Sequence, residues 1–276
     1  LARAAALEER IARTTSDSAA LLDALEKVAA TANPALSVLE EAAELAVGRG
    51  EGERAVRFAI RAVEVAELND SLASALWALV LCAEHQFAHG DMVGAAAAFA
   101  RAGQIADHAE GLEYALRAAA LTREYQGDLE LAAQRYAAVL SRFPGERRAW
   151  EPLLAIHRQR GDRDALEELL GHALEDVSDP QERNVLRMER VRILLQDARD
   201  VEAVETLNAI LDEDPHQREA ASALASIYRK ENRREELAAL FAGQIDWARE
   251  KNDSDRLVEN ALGLAELLAV ERVPGA

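Results

Sequence analysis

Cysteine and aromatic residues are scarce in this 276-residue chain, and their scarcity limits the structures that the chain can form. A single cysteine, Cys82, rules out an intramolecular disulfide framework. Aromatic residues make up only 4% of the chain, whereas alanine, leucine, glutamate and arginine dominate. These side chains lose little conformational freedom in a helix, so the composition favours an all-α protein.

The chain also lacks a net positive charge and a long apolar run. Its formal net charge of -18 repels phosphate backbones and anionic lipids, which argues against nucleic-acid partners. The longest apolar run, 75–83, is too short to span a bilayer, so we expect no membrane insertion.

The start of the chain and its basic residues bear on its origin. The sequence begins at Leu1 without a secretory segment, and its 29 arginines against three lysines are typical of a GC-rich bacterial genome. We therefore expect a cytoplasmic fragment of a larger bacterial protein, although a periplasmic or membrane-anchored parent would also fit.

One spacing pattern recurs along the sequence. Gly90, Gly127 and Gly161 are each followed by aspartate, then by a small or apolar residue five positions after the glycine and another nine positions after it. Gly50 and Asn232 head copies with the same offsets. Before each turn, apolar residues recur at i, i+3, i+4 and i+7, as on one helical face. Copies 34 to 40 residues apart therefore predict a repeated pair of helices.

This repeat resembles the tetratricopeptide repeat (TPR), in which a small residue lets two helices approach and a larger ring fills the gap to the next hairpin. The residues that match the family pattern best are Trp150, Leu153 and His157, then Leu224, Ala225 and Tyr228, then Ala132, Tyr136 and Pro144, then Ala95, Phe99 and Ala102, and Ala203, Leu207 and Pro215. The resemblance implies an all-α, right-handed α-α superhelix (solenoid) of about seven helical hairpins.

The resemblance also sets the expected domain organisation. Residues 1–276 form a single solenoid, and its final helix covers about 253–270. The repeats are expected to begin near residues 2, 36, 76, 113, 147, 184 and 218.

No catalytic or metal-binding pattern emerges from the sequence. Glycine-rich phosphate loops are absent, and His85 and His89 lack an obvious third ligand. Cys82 falls at an inward position of a first helix, where a small buried residue is expected rather than a nucleophile. Acidic clusters fit solvated helix faces. We therefore expect no enzyme activity, no metal and no cofactor.

In TPR proteins, positions 2, 5, 9, 12 and 13 of each first helix line a concave groove. Transferred to this chain, these positions are apolar or aromatic in the third and fourth repeats and basic farther along. The residues expected to contact a partner are Trp77, Val80, Phe87, Tyr114, Arg117, Leu121 and Tyr125, followed by Arg148, Arg158, Arg192 and Arg229. Such a surface suits a peptide or protein partner with apolar anchors and acidic groups.

A register shift of one residue would turn each of these positions by about 100°. In that alternative, Trp77 and Tyr114 pack between repeats and the arginines pair with neighbouring glutamates. The TPR carboxylate clamp is disfavoured, because its lysine and asparagine positions hold residues such as Val80, Glu84, Arg117 and Leu121.

The sequence therefore predicts a non-catalytic scaffold that binds a partner in its groove. The alternative is a ligand-sensing regulatory solenoid of a larger signalling or transcription-regulatory protein, which would need a closed pocket. RNA-reading repeats are disfavoured because they need a basic groove throughout. Exposed solenoid ends would also allow a homodimer.

Overall fold

The chain folds as a succession of α-helices joined by short turns. A computed structural model describes residues 8, 10–13 and 17–270, and no β-strand occurs among them. Residues 10–13 are helical. The helices that follow are α1 Ser18–Ala29, α2 Leu36–Gly48, α3 Gly52–Leu68, α4 Leu76–Ala88, α5 Met92–Ile105, α6 His108–Leu121, α7 Leu129–Arg142, α8 Arg147–Arg160, α9 Arg163–Asp176, α10 Pro180–Gln196, α11 Asp200–Glu213, α12 Arg218–Lys230, α13 Arg234–Lys251 and α14 Ser254–Val270.

Helices that are consecutive in the chain pack against each other from α1 to α7 and from α9 to α14. The predicted all-α fold of helical hairpins is thereby confirmed for the described residues. The repeat start expected near residue 2 lies outside those residues. A 3₁₀ turn, Leu72–Ala75, leads into α4, and a π turn, Thr122–Gln126, follows α6.

Two compact units divide the chain, and the boundary falls within α8. Unit 1 covers Leu1–Ile156 and unit 2 covers His157–Ala276. The core of unit 1 is rich in fully buried alanines, whereas the core of unit 2 holds mostly larger aliphatic side chains. In unit 1, α5 and α6 approach so closely that a Cβ on Gly103 would lie 2.9 Å from the backbone nitrogen of Ala115.

The recurring Gly-Asp pair makes the turn inside several hairpins. Gly90 has a φ of 82°, a left-handed conformation that ends α4 without the Cβ clash of other residues. Asp91 then caps α5, because its side chain accepts a hydrogen bond of 2.9 Å from the backbone N–H of Gly94. Gly127 and Asp128 repeat this geometry before α7. Each residue of the pair therefore terminates one helix or begins the next.

We predict that Ala198→Gly stabilises unit 2 by about 1 kcal/mol, because a left-handed conformation costs a residue with a Cβ about 1–2 kcal/mol. Ala198 lies between α10 and α11 with a φ of 55°. The reciprocal change Gly161→Ala, at a φ of 67°, should destabilise the same unit by a similar amount. Urea unfolding of both variants measures this, and no difference from wild type in either would contradict the backbone argument.

Candidate partner-binding surface

Helices α4, α5 and α6 of unit 1 bring three aromatic rings and one arginine together. The rings of Phe99 and Tyr114 stack with centroids 6.0 Å apart and an interplanar angle of 16°. The guanidinium carbon of Arg117 lies 4.0 Å from the Phe99 centroid and 5.9 Å from that of Phe87. Exposed cation–π contacts contribute about 0.5–1 kcal/mol each. We call these four residues the aromatic cluster.

The sequence pattern predicts that three members of the aromatic cluster, Phe87, Tyr114 and Arg117, contact a partner. It assigns the fourth, Phe99, to packing between hairpins, and that ring is indeed 0% exposed. Phe99 also makes a cation–π contact with Arg117, and this contact depends on the distance between α5 and α6. Periodicity within a single helix cannot predict that distance.

Glu84 on α4 orients the Arg117 guanidinium. Both terminal nitrogens of Arg117 donate to the Glu84 carboxylate, and Nη2 lies 3.2 Å from Oε2. The two side chains are 39% and 47% exposed. The ion pair therefore lies at the surface, where it fixes the arginine and offsets its charge.

The other predicted residues of unit 1 differ in exposure. Trp77 and Val80 are half-buried and pack on the unit 1 core. Leu121 is only 7% exposed and packs in the core beneath the cluster, so it supports the surface rather than forming it. Phe87 and Tyr125 are 39% and 58% exposed. These two aromatic side chains are the ones that a partner could contact without displacing core packing.

The predicted arginines beyond the aromatic cluster mostly form ion pairs with glutamates. This pairing with neighbouring glutamates is the sequence-based alternative to a basic lining of the groove. The contacts are Arg148 with Glu113 and Glu146, Arg158 with Glu189, Arg192 with Glu189 and Glu219, and Arg229 over the ring of Phe241 at 5.5 Å.

These ion pairs join successive first helices within a unit. Arg148 Nη1 on α8 lies 2.7 Å from Glu113 Oε1 on α6, and Arg192 Nη2 on α10 lies 2.8 Å from Glu219 Oε1 on α12. Hydrogen bonds from Arg148 lower the pKa of the Glu146 carboxyl, which keeps that partner ionised. The local positive charge expected from the sequence is therefore partly neutralised.

Two arginines on the second helix α7 act on the backbone instead. Arg135 on α7 donates to the carbonyl of Ala118 at 3.0 Å and to the hydroxyl of Thr122, and its burial lowers its pKa. Arg142 on the same helix donates to the carbonyl of Gly103. The arginine content thus has a structural use that composition alone does not reveal.

The residues considered for chemistry occupy unremarkable sites. Cys82 is half-buried, and burial raises the pKa of its thiol, which disfavours the nucleophilic thiolate. His89 Nδ1 lies 2.8 Å from the carbonyl of His85. Within the described ranges, no group of three or more His, Cys, Asp or Glu side chains could hold a metal ion. In the same part of the chain, no helix has both the length and the apolar character to span a bilayer.

Two cavities bear on the ligand-sensing alternative. One of about 140 Å³ lies between α12, α13 and α14, beside Arg218, Phe241 and Arg256. Another of about 110 Å³ lies between α5, α6 and α7, beside Gly103 and Phe143. Both are smaller than the roughly 300–1,000 Å³ of typical small-molecule sites. A depression of about 360 Å³ between α9, α10 and α11 is wider but open to solvent, so none of these spaces is the closed pocket that a sensor needs.

Comparison with known proteins places the fold. No family model matches the sequence, and neither does any curated protein. A solved structure of Naa15/Naa10 bound to HypK-THB matches 97% of this chain with a TM-score of 0.52 and 17% identity, and this chain spans 39% of the matched one. Yeast Tom70 matches 98% of this chain at 15% identity with a TM-score of 0.43, over 59% of its own length. The P58(IPK) TPR domain matches 95% at 15% identity with a TM-score of 0.32, over 77% of its length.

These structures are TPR-repeat proteins. The likeness to the Naa15/Naa10 structure, at low identity, concerns the fold alone. In fold, this chain is a TPR-like helical solenoid, as the sequence pattern predicts.

We predict that Arg117→Gln lowers the unfolding free energy of unit 1 by about 1 kcal/mol, because its ion pair is exposed and its cation–π contacts lie at the surface. Arg135→Gln should cost about 1–3 kcal/mol, because it removes a partner from buried acceptors. Urea unfolding of the two variants measures the difference. Equal losses would contradict the assignment of Arg117 to the surface and Arg135 to the framework.

Proposed function

We propose that this chain is a non-catalytic interaction scaffold that binds a peptide or surface loop of a partner protein at the aromatic cluster. The observation that carries the proposal is Phe87, a ring 39% exposed within 5.9 Å of an arginine that Glu84 and Phe99 already hold in place. Aromatic and arginine side chains dominate binding hot spots, and pre-oriented ones lose little entropy on binding.

The chemistry of the cluster specifies the partner. An apolar anchor would cover Phe87 and the half-buried side chains of Trp77 and Val80, and Tyr125 offers a second exposed ring. An acidic group would exchange with Glu84 for the Arg117 guanidinium. That exchange replaces one ion pair with another, so it contributes more to specificity than to affinity.

In unit 2, Arg158, Arg192 and Arg229 offer acidic groups a similar exchange. Arg158 and Arg192 are held by glutamates, whereas Arg229 rests on an aromatic ring. In unit 1, Arg148 provides the same chemistry beside the cluster's own helix α6, through its pair with Glu113. We propose these residues as secondary contacts.

Two further points support a scaffold. The fold resembles a structure in which Naa15/Naa10 is bound to HypK-THB, a protein partner. The cavities described above are small or open to solvent, which fits a surface-binding protein better than a sensor of small molecules. We expect the protein to act in the cytoplasm.

The direct test selects binders from a random peptide display library with the purified chain. Phe87→Ala should weaken the selected peptides about 5- to 30-fold, which corresponds to the roughly 1–2 kcal/mol of a hot-spot ring. Tyr125→Ala should weaken those peptides that carry a second anchor. Trp77→Ala and Tyr114→Ala are unsuitable probes, because both side chains pack on the core and their loss would disturb folding.

The matched control is Val93→Ala, an exposed apolar residue on α5 that is 62% accessible and outside the cluster. It should leave affinity unchanged. Peptides that bind wild type, Phe87→Ala and Arg117→Gln equally well would place binding elsewhere and overturn the proposal.

A further inference from the structure

A groove in unit 2 lies between α9 and α11, with α10 as its floor. Its wider part is the open depression of about 360 Å³ described above, and a narrower part of about 130 Å³ lies beside Gly171. Arg190 lines both parts, so they adjoin at this side chain. From Arg183 to Ile193 the floor helix rises about 15 Å, which sets the length of the groove.

Four arginines line this space, which we call the arginine groove, and three of them are held by glutamates. The ion pairs join Arg183 and Arg187 to Glu213 at 3.4 and 2.9 Å, and Arg199 to Glu167 and Glu202 at 3.1 and 2.7 Å. These pairs fix the shape of the groove and neutralise most of the positive charge within it.

The fourth arginine, Arg190, is unpaired. It is exposed, and among the described residues no group forms an ion pair or a hydrogen bond with it. Arg183 also keeps an unused donor, because its Nε–H is buried without an acceptor. The groove therefore offers free N–H donors, and the acceptors that match a guanidinium best are carboxylate and phosphate oxygens.

The corresponding space in unit 1 uses its arginines differently. It lies between α5, α6 and α7 and holds about 110 Å³. Its two arginines, Arg135 and Arg142, donate to the carbonyls of Ala118 and Gly103. Both guanidinium groups are thus occupied by the fold itself. In unit 2, by contrast, the described part of the chain supplies no such acceptor for Arg190.

The narrower part of the groove has room for an apolar side chain. Leu170 and Ile193 line it and are 1% and 9% exposed. Gly171 lies inside α9, where glycine is less favourable than alanine. A Cβ at Gly171 would meet nothing within 4 Å. Packing within the chain therefore does not require this glycine, and the space beside it is open to a ligand.

Charge decides between the two kinds of oxyanion. Glu202 and Glu205 on α11 also line the wider part, so the groove accepts little added negative charge. A carboxylate brings one negative charge, whereas a phosphate monoester brings up to two at pH 7 and nucleic acid brings a row of them. A carboxylate next to an aliphatic side chain fits both parts of the groove. An open groove of this length suits a protein segment that supplies the two groups.

We propose that the arginine groove binds an acidic segment of a partner protein, with one carboxylate on Arg190 and a neighbouring aliphatic side chain beside Gly171. The residues that line the groove come from three consecutive helices of unit 2. The site is separate from the aromatic cluster in unit 1 and does not rest on the proposed function.

The test selects peptides from a random display library on the full chain carrying Phe87→Ala, which lacks the exposed ring of the aromatic cluster. The selected peptides should carry aspartate or glutamate next to leucine, isoleucine or valine. In fluorescence anisotropy, Arg190→Gln should weaken the consensus peptide at least tenfold, because a charge-assisted hydrogen bond is lost. Binding should also weaken as salt rises, because Arg190 is exposed.

The matched control is Arg249→Gln on α13, which removes the same charge from an arginine that is 68% exposed and outside the groove. It should leave affinity unchanged. Gly171→Leu should unfold at a higher urea concentration than wild type, because leucine favours a helix, and yet weaken the peptide by filling the narrower part. Circular dichroism should show wild-type helix content for the variants.

Three outcomes would overturn the proposal. The first is a set of selected peptides without enrichment of acidic residues. The second is unchanged affinity in either Arg190→Gln or Gly171→Leu. The third is tighter binding when phosphoserine replaces the acidic residue of the consensus peptide, because a phosphate would then be the preferred occupant.

Discussion

Close packing of small side chains between consecutive helices is the constraint from which the rest of this structure follows. Ala95 on α5 and Ala132 on α7 are 0% exposed, and each allows its helix to lie against the preceding one. At Gly103 the backbone itself is the contact surface. A helical hairpin of this kind buries only part of its apolar surface, so each one depends on its neighbours in the chain.

That dependence decides which residues remain for binding. Side chains that face the next helix, such as Leu121 and Phe99, are buried by packing and cannot contact a partner. Side chains that lie on the packed layer without being covered, such as Phe87 and Tyr125, stay available for binding. Arginine occurs both at the surface and in the packed interior. Its guanidinium binds a carboxylate at the surface, as in Arg117, or a backbone carbonyl inside, as in Arg135.

Much of the fold could be predicted from the sequence, because helical periodicity and turn chemistry are local properties. The Gly-Asp pairs mark turns, and the left-handed backbone at Gly90 and Gly127 is the conformation that such glycines allow. Asn232 adopts the same conformation with a φ of 54°, which asparagine does more readily than most residues with a side chain.

Less of the candidate site could be predicted from the sequence, because its contacts depend on distances between helices. Periodicity predicts that Arg117 and Arg148 lie on an exposed face of their helices, but their glutamate partners lie 33 and 35 residues away in the chain.

Two substitutions on one helix test the central claim most directly. Ala95 and Ala97 both lie on α5, but Ala95 is 0% exposed whereas Ala97 faces solvent. The account predicts that Ala95→Leu lowers the unfolding free energy of unit 1 by about 1–3 kcal/mol through overpacking. Ala97→Leu should change it by less than about 0.5 kcal/mol. Equal effects of the two substitutions in urea unfolding would contradict the claim that small-residue contacts hold the hairpins in place.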